Sequence, residues 1–152
     1  MSLVEAAAWS LHVGFAVFWT GSVLFVAMTV VPPAARGDIG ADALAHIVGR
    51  LRWSTRIAAL AFLGSGGYMA GERYTVDALF ATGRGHLVLA MIALWFATTG
   101  LVEAASGTLT DGLDAGKLRE PARDARPFFY AAAGLSLGLV LTAGLLAAPL
   151  GS

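Results

Sequence analysis

Residues 3–31 read LVEAAAWSLHVGFAVFWTGSVLFVAMTVV, with Glu5 the only carboxylate and no Lys or Arg. Crossing a hydrocarbon core of about 30 Å takes roughly 20 apolar residues in a helix. The stretch is long enough to span, and it predicts a transmembrane helix stopped by Pro32-Pro33, which cannot continue one. Glu5 falls in its first turn, where the helix macrodipole favours an acid. The run is longer than a signal-peptide core and has no basic residue ahead of it, so no cleaved targeting segment is expected.

The rest of the chain continues in kind. Of 152 residues, 57% are hydrophobic and 13% charged, the formal net charge is zero, and the mean hydropathy is +0.73. This is the composition of an integral membrane protein, with a lipid bilayer as its surroundings and no charge excess to suggest a nucleic-acid partner. Cysteine is absent, which removes disulfides, thiolate metal sites and thiol nucleophiles.

Three further spans follow. Arg56 and Glu72 bracket a short apolar run, Ile57 to Gly71, and the segment before it sets Leu44, Ile47, Val48 and Leu51 at helical spacing. An amphipathic cytoplasmic extension therefore runs into a second span of about 53–71, with Arg56 snorkelling. The third span covers about 83–105, and the fourth about 128–150, entered through Arg126-Pro127. The expected fold is all-α, a single transmembrane domain over 1–152 built as a four-helix up-and-down bundle.

Basic residues orient it. The first loop region carries Arg36, Arg50, Arg52 and Arg56, and the third carries Lys117, Arg119, Arg123 and Arg126, against Arg73 and Arg84 in the middle one. The positive-inside rule puts loops one and three in the cytoplasm and both termini outside.

Within that frame His12 and His86 share the outer half of the bilayer. An imidazole in hydrocarbon is costly unless it is hydrogen-bonded or bound to a metal, so both are candidate ligands. His12 lies roughly 13 Å along the first span and His86 about 5 Å past Gly83. A hydrogen bond across helices is the competing structural role for each. Around His12 the helix presents Trp9, Phe15, Ala16 and Trp19, a face suited to a flat apolar cofactor and equally to core packing. Gly64-Ser65-Gly66-Gly67 and Gly134-x-x-x-Gly138 favour close helix packing, the second also an oligomer or partner contact. Glu103 is expected to pair with Arg50, Arg52 or Arg56, and His46 to lie on the cytoplasmic surface.

The segment Trp9-Ser-Leu-His12-Val-Gly-Phe-Ala-Val-Phe-Trp19-Thr-Gly21 resembles the opening helix of the CopD-like and HemJ-like membrane proteins, where a His is followed by Trp and Gly. His46-Ile-Val-Gly-Arg50-Leu-Arg52-Trp53 through Tyr68 is similar to their arginine-bearing approach to a glycine-containing second helix, and Gly85-His86-Leu-Val88 to the start of a later one. The resemblance implies a small haem-binding or copper-handling bundle, with haem bound through the histidine that corresponds to His12. Val88 stands where the HemJ-like branch usually carries a lysine, and only Met28, Met69 and Met91 lie within the spans for Cu(I).

The reading that follows is a b-type haem in the outer half, with His12 as axial ligand, His86 as second ligand or pocket residue, Trp19 beside them, and Arg73 and Arg84 for the propionates. Transport or delivery of copper or another small cation is one alternative. A non-catalytic membrane subunit docking through Gly134 and Gly138 is another. No nucleophile and base pair points to an enzyme acting on a polar substrate.

Overall fold

The computed structural model describes residues 2–148, and these are all-helical, joined by short turns. Helix α1 (Leu3–Phe25) passes through a π-helical turn (Val26–Val30) into α2 (Val31–Arg36). It is followed by α3 (Ala41–Arg73), the short α4 (Val76–Ala81), α5 (Gly83–Asp114) and α6 (Arg119–Ala147). Leu150, the expected end of the last span, lies outside the described residues.

Local chemistry sets these boundaries. At the start of α1 the Ser2 hydroxyl accepts from the Glu5 amide at 3.2 Å, and the Glu5 carboxylate accepts from the Ser2 amide at 2.6 Å, a reciprocal capping box. Pro32-Pro33 do not end the helical run, contrary to the expectation from sequence. The Val31 amide donates to the Val26 carbonyl, five residues back, and this wider turn starts a new register in which the prolines occupy the first turn, where their missing N–H groups cost little. The stop comes instead at Gly37, whose φ of 87° is left-handed. Its amide and that of Asp38 bond back to Ala34 and Pro33. Gly116, at φ 72°, closes α5 in the same way. Thr82 caps the start of α5 by accepting from the Gly85 amide at 3.0 Å.

Three elements are longer than the apolar runs suggested, among them α5, which continues past 105 to Asp114. Helix α3 is continuous over about 50 Å, so the amphipathic segment does run straight into the apolar one. Helix α6 begins at Arg119, with Pro127 inside it, because Ala122, Ala125, Phe129, Ala132 and Ala133 form a buried face at helical spacing while Arg123, Asp124 and Arg126 lie elsewhere on the surface.

Three helical stretches are long and apolar enough to cross a membrane: Leu3–Arg36, Gly83–Asp114 and Arg119–Ala147. The long helices touch in a ring, α1 on α3, α3 on α5, α5 on α6 and α6 back on α1. Contacts give their directions. His12 bonds to Ser65 while Trp19 bonds to Thr55, so α1 and α3 are antiparallel. Gly112 meets Pro121, Gly138 meets Leu94, and Arg84 reaches Ala148, so α5 and α6 are too. One end of the molecule therefore collects Arg36, Arg50, Lys117, Arg119 and Arg123, and is called the basic end below. The opposite, distal end holds Arg73, Arg84 and Ala148.

The core occupies the basic half. Trp19, Val23, Leu44, Val48, Val102, Leu109 and Phe129 are all within 1% of complete burial. From about one turn below Ser65 to the distal end the buried residues, among those described, are Thr98, Ser136, Ser65, Gly85, Val88 and Thr142, small or polar apart from Val88.

Candidate functional site

His12 shares a helical face with Ala16, Trp19 and Val23, the stripe of α1 turned toward its neighbours. It sits just beyond the closed core, half-buried. Its Nδ1 lies 3.0 Å from Ser65 Oγ, and that same hydroxyl lies 2.5 Å from the Ala61 carbonyl of its own helix. A hydroxyl has one hydrogen. The carbonyl can only accept, so the serine donates to Ala61 and accepts from His12. Nδ1 thus carries the ring proton and Nε2 keeps its lone pair.

Two neighbours hold the ring. Phe62 meets it edge-on, with centroids 5.1 Å apart, and a Cβ placed on Gly66 would come within 3.1 Å of His12 Cε1. Glycine at 66 is thus what allows the imidazole to lie against α3. Trp19 is fixed by a bond from its indole N–H to Thr55 Oγ1 at 3.0 Å and by Phe62, with centroids 5.8 Å apart. It forms the floor between the core and His12.

Counting along α3 from Arg56, which pairs with Glu103, to Ser65 and the same number of residues back along α5 reaches Leu94-Trp95. Trp95 Nε1 and Thr99 Oγ1, one turn further on, are buried with no protein partner. The level of His12 therefore combines an imidazole with a free lone pair, an orphaned indole donor and few buried side chains.

The remaining predicted residues lie nearer the distal surface. His86 is exposed, with Nε2 2.8 Å from the Phe80 carbonyl, and braces α4 against α5. It stands nine residues before Trp95, about 14 Å along the helix. Among the described residues no hydrogen bond links it to His12. Arg84 donates to the Ala148 carbonyl at 3.1 Å, capping the end of α6. Arg73, in the last turn of α3, is exposed and has no ion-pair partner among the described residues. His46 is exposed.

Glu103 pairs as expected. Arg56 grips it with Nε at 3.0 Å and Nη2 at 3.2 Å, one bond to each oxygen, and Arg52 adds Nη2 at 3.1 Å. The triad ties α3 to α5 at the border of the core. Among the described residues no three His, Asp or Glu side chains gather as ligands for a bare ion.

No family model, curated protein or solved structure matches the chain. The site is read from its own residues. Sequence reasoning missed Ser65, Phe62, Gly66 and Trp95. The signal for Ser65 and Gly66 was the Gly64-Ser65-Gly66-Gly67 run, read first as a packing face that could also leave room for a planar ligand; nothing in the sequence marked Phe62 or Trp95 apart from other span aromatics.

Proposed function

We propose that this chain is a multi-pass membrane protein whose four long helices form an up-and-down bundle, with both termini outside, and that it binds a b-type haem through His12. The observation carrying the haem reading is the His12–Ser65 hydrogen bond, because it leaves Nε2 as the free donor atom. A ligating histidine characteristically gives its other N–H to a second group that fixes tautomer and orientation.

The chemistry of the donor set favours haem over a bare ion. A lone cation asks for three or four protein donors together, whereas the macrocycle brings four nitrogens of its own and needs one or two axial partners. The residues present fit: His12 as the axial ligand, Phe62 and Gly66 shaping its surroundings, Trp95 offering an unused N–H, and Arg73 with a free guanidinium for a propionate. His86 likewise gives one ring N–H to a partner and keeps the other nitrogen, but it is exposed and about 14 Å along the helix from the level of His12, and Arg84 is engaged with Ala148, so the reading rests on the His12 imidazole. Bound there, the haem would supply one-electron redox chemistry. The protein's part is to orient His12 and exclude water below it with Trp19.

Protein purified from haem-replete cells is expected to show a Soret band that His12→Ala abolishes and His86→Ala leaves in place. A band unchanged by His12→Ala, or none at all, rejects the assignment. Stoichiometric copper without a chromophore turns the reading to metal delivery, and a co-purifying partner with neither turns it to a membrane subunit. Because the chain lacks cysteine, single cysteines at Ser2 and Gly40 allow labelling from either side, and Ser2 should react from outside and Gly40 from the cytoplasm.

A further inference from the structure

The seam between α1 and α3 is open to the outside along the basic half, as a cleft of about 780 Å³. Its walls change character along their length. His46 and Arg50, one turn apart on α3, stand at the basic end with Phe25 of α1 beside them, while Phe18, Trp53 and Ile57 line the remainder. These four hydrophobic side chains are exposed rather than folded inward, Trp53 at 60% and the two phenylalanines at 57% each. From Arg50 to Ile57 the helix rises about 10 Å, most of the roughly 15 Å depth of one leaflet's hydrocarbon.

Charge singles out the polar end. Arg52 and Arg56 share the one carboxylate of Glu103, and Arg36 pairs with Asp38 at 2.8 Å. Arg50, between them in sequence, has no carboxylate at ion-pair distance among the described residues, and it faces the cleft. We infer that this cleft is a binding site for one anionic phospholipid, with Arg50 and His46 holding the headgroup phosphate and an acyl chain lying along Trp53, Phe18 and Ile57. A groove polar at one end, apolar over most of a leaflet's depth and carrying an unpaired guanidinium is complementary to that amphiphile. The inference is independent of the haem reading.

Trp53 supplies the probe. The full chain is reconstituted in phosphatidylcholine bilayers containing brominated-chain phosphatidylglycerol or brominated-chain phosphatidylcholine, and emission is read as the difference between wild type and Trp53→Phe. Half-maximal quenching is expected at a mole fraction about fivefold lower for phosphatidylglycerol, the preference of one arginine near an anionic surface. Arg50→Gln should bring the two lipids level and Arg50→Lys should keep the preference. Arg36→Gln, a surface cation on the same side, should leave it intact. Native mass spectra should retain one phosphatidylglycerol per wild-type chain and lose it in Arg50→Gln. Equal quenching by both lipids in wild type overturns the inference, and so does an Arg36→Gln loss as large as that of Arg50→Gln, which would mean diffuse surface attraction.

Discussion

The same four helices build both halves of this molecule, yet the basic half is packed and the distal half is not. Below Trp19 the inward faces of α1, α3, α5 and α6 close on a shared buried core, although the outer seam between α1 and α3 stays open as a cleft. Above it the helices are held by separate contacts: His12 to Ser65, Leu94 against Gly138, Arg84 to the end of α6. In a bilayer the hydrophobic effect does not drive helices together, because lipid is as apolar as leucine, and close packing and polar contacts must do it. Where packing is dense it supplies stability. Where it is sparse, the groups that remain are free to hold something else, and the half-buried imidazole of His12, with one uncommitted nitrogen, lies there.

The largest test of this contrast compares aromatics from the two halves. Phe129, fully buried, should lose about 3–5 kcal/mol of stability on Phe129→Ala. Trp9→Ala, at a residue 45% exposed near the distal end, should lose well under half of that. Unfolding of both variants in mild detergent by a graded denaturant checks the pair. Equal losses would mean that the distal half is closed in the native membrane and that the contrast is wrong.

Next in size is Glu103→Gln, which leaves two guanidiniums facing a neutral amide at the border between the halves. The site is partly solvated, so the cost should be about 1–2 kcal/mol, between the values for exposed and buried pairs. The double variant Arg52→Gln with Glu103→Gln should recover part of the loss, because it removes one unpaired charge. No recovery in this comparison would show that the triad does not couple α3 to α5.

The two halves were unequally legible in the sequence. Helix content and the location of the apolar runs followed from composition and from Leu3 to Val31, because 3.6-residue periodicity and length are local properties. Pairing of Glu103 with Arg52 and Arg56 followed too, since few partners existed for it. The stop at Pro32-Pro33 misled, because a π-helical turn absorbs the prolines and no residue in Val26–Val30 advertises it. The start of α6 was hidden by charges that interrupt the apolar run while lying off the buried face. Ser65 was unreadable as a partner of His12, since their contact depends on a register between helices 53 positions apart.

That contact gives the third prediction. Ser65→Ala removes the acceptor that fixes the His12 tautomer, and the neighbouring fold has little to lose with it: about 1 kcal/mol for a single hydrogen bond. If haem is bound through Nε2, its affinity should fall about 10–100-fold, the usual effect of losing the group that orients a ligating histidine. Titration of apoprotein with haem, alongside the denaturant curve, separates the two. Gly66→Ala should act in the same direction by pressing on Cε1, whereas Gly67→Ala, with open space at its Cβ, should not.

The smallest effect distinguishes two glycines of one motif. Gly138 packs on Leu94 of the chain itself, 3.7 Å from where a Cβ would stand, while Gly134 has nothing within 4 Å. The Gly134-x-x-x-Gly138 face is therefore already half used inside the molecule. If Gly134 faces lipid alone, Gly134→Ala should be neutral or stabilising by up to about 1 kcal/mol, the gain expected for replacing glycine in a helix interior. If a second copy approaches there, the same methyl group must push two backbones apart, and the chain should dissociate at lower dilution in detergent, more so for Gly134→Leu. Cross-linking against detergent-to-protein ratio reads the difference. Gly138→Ala should leave that ratio unchanged in either case, because its contact is intramolecular.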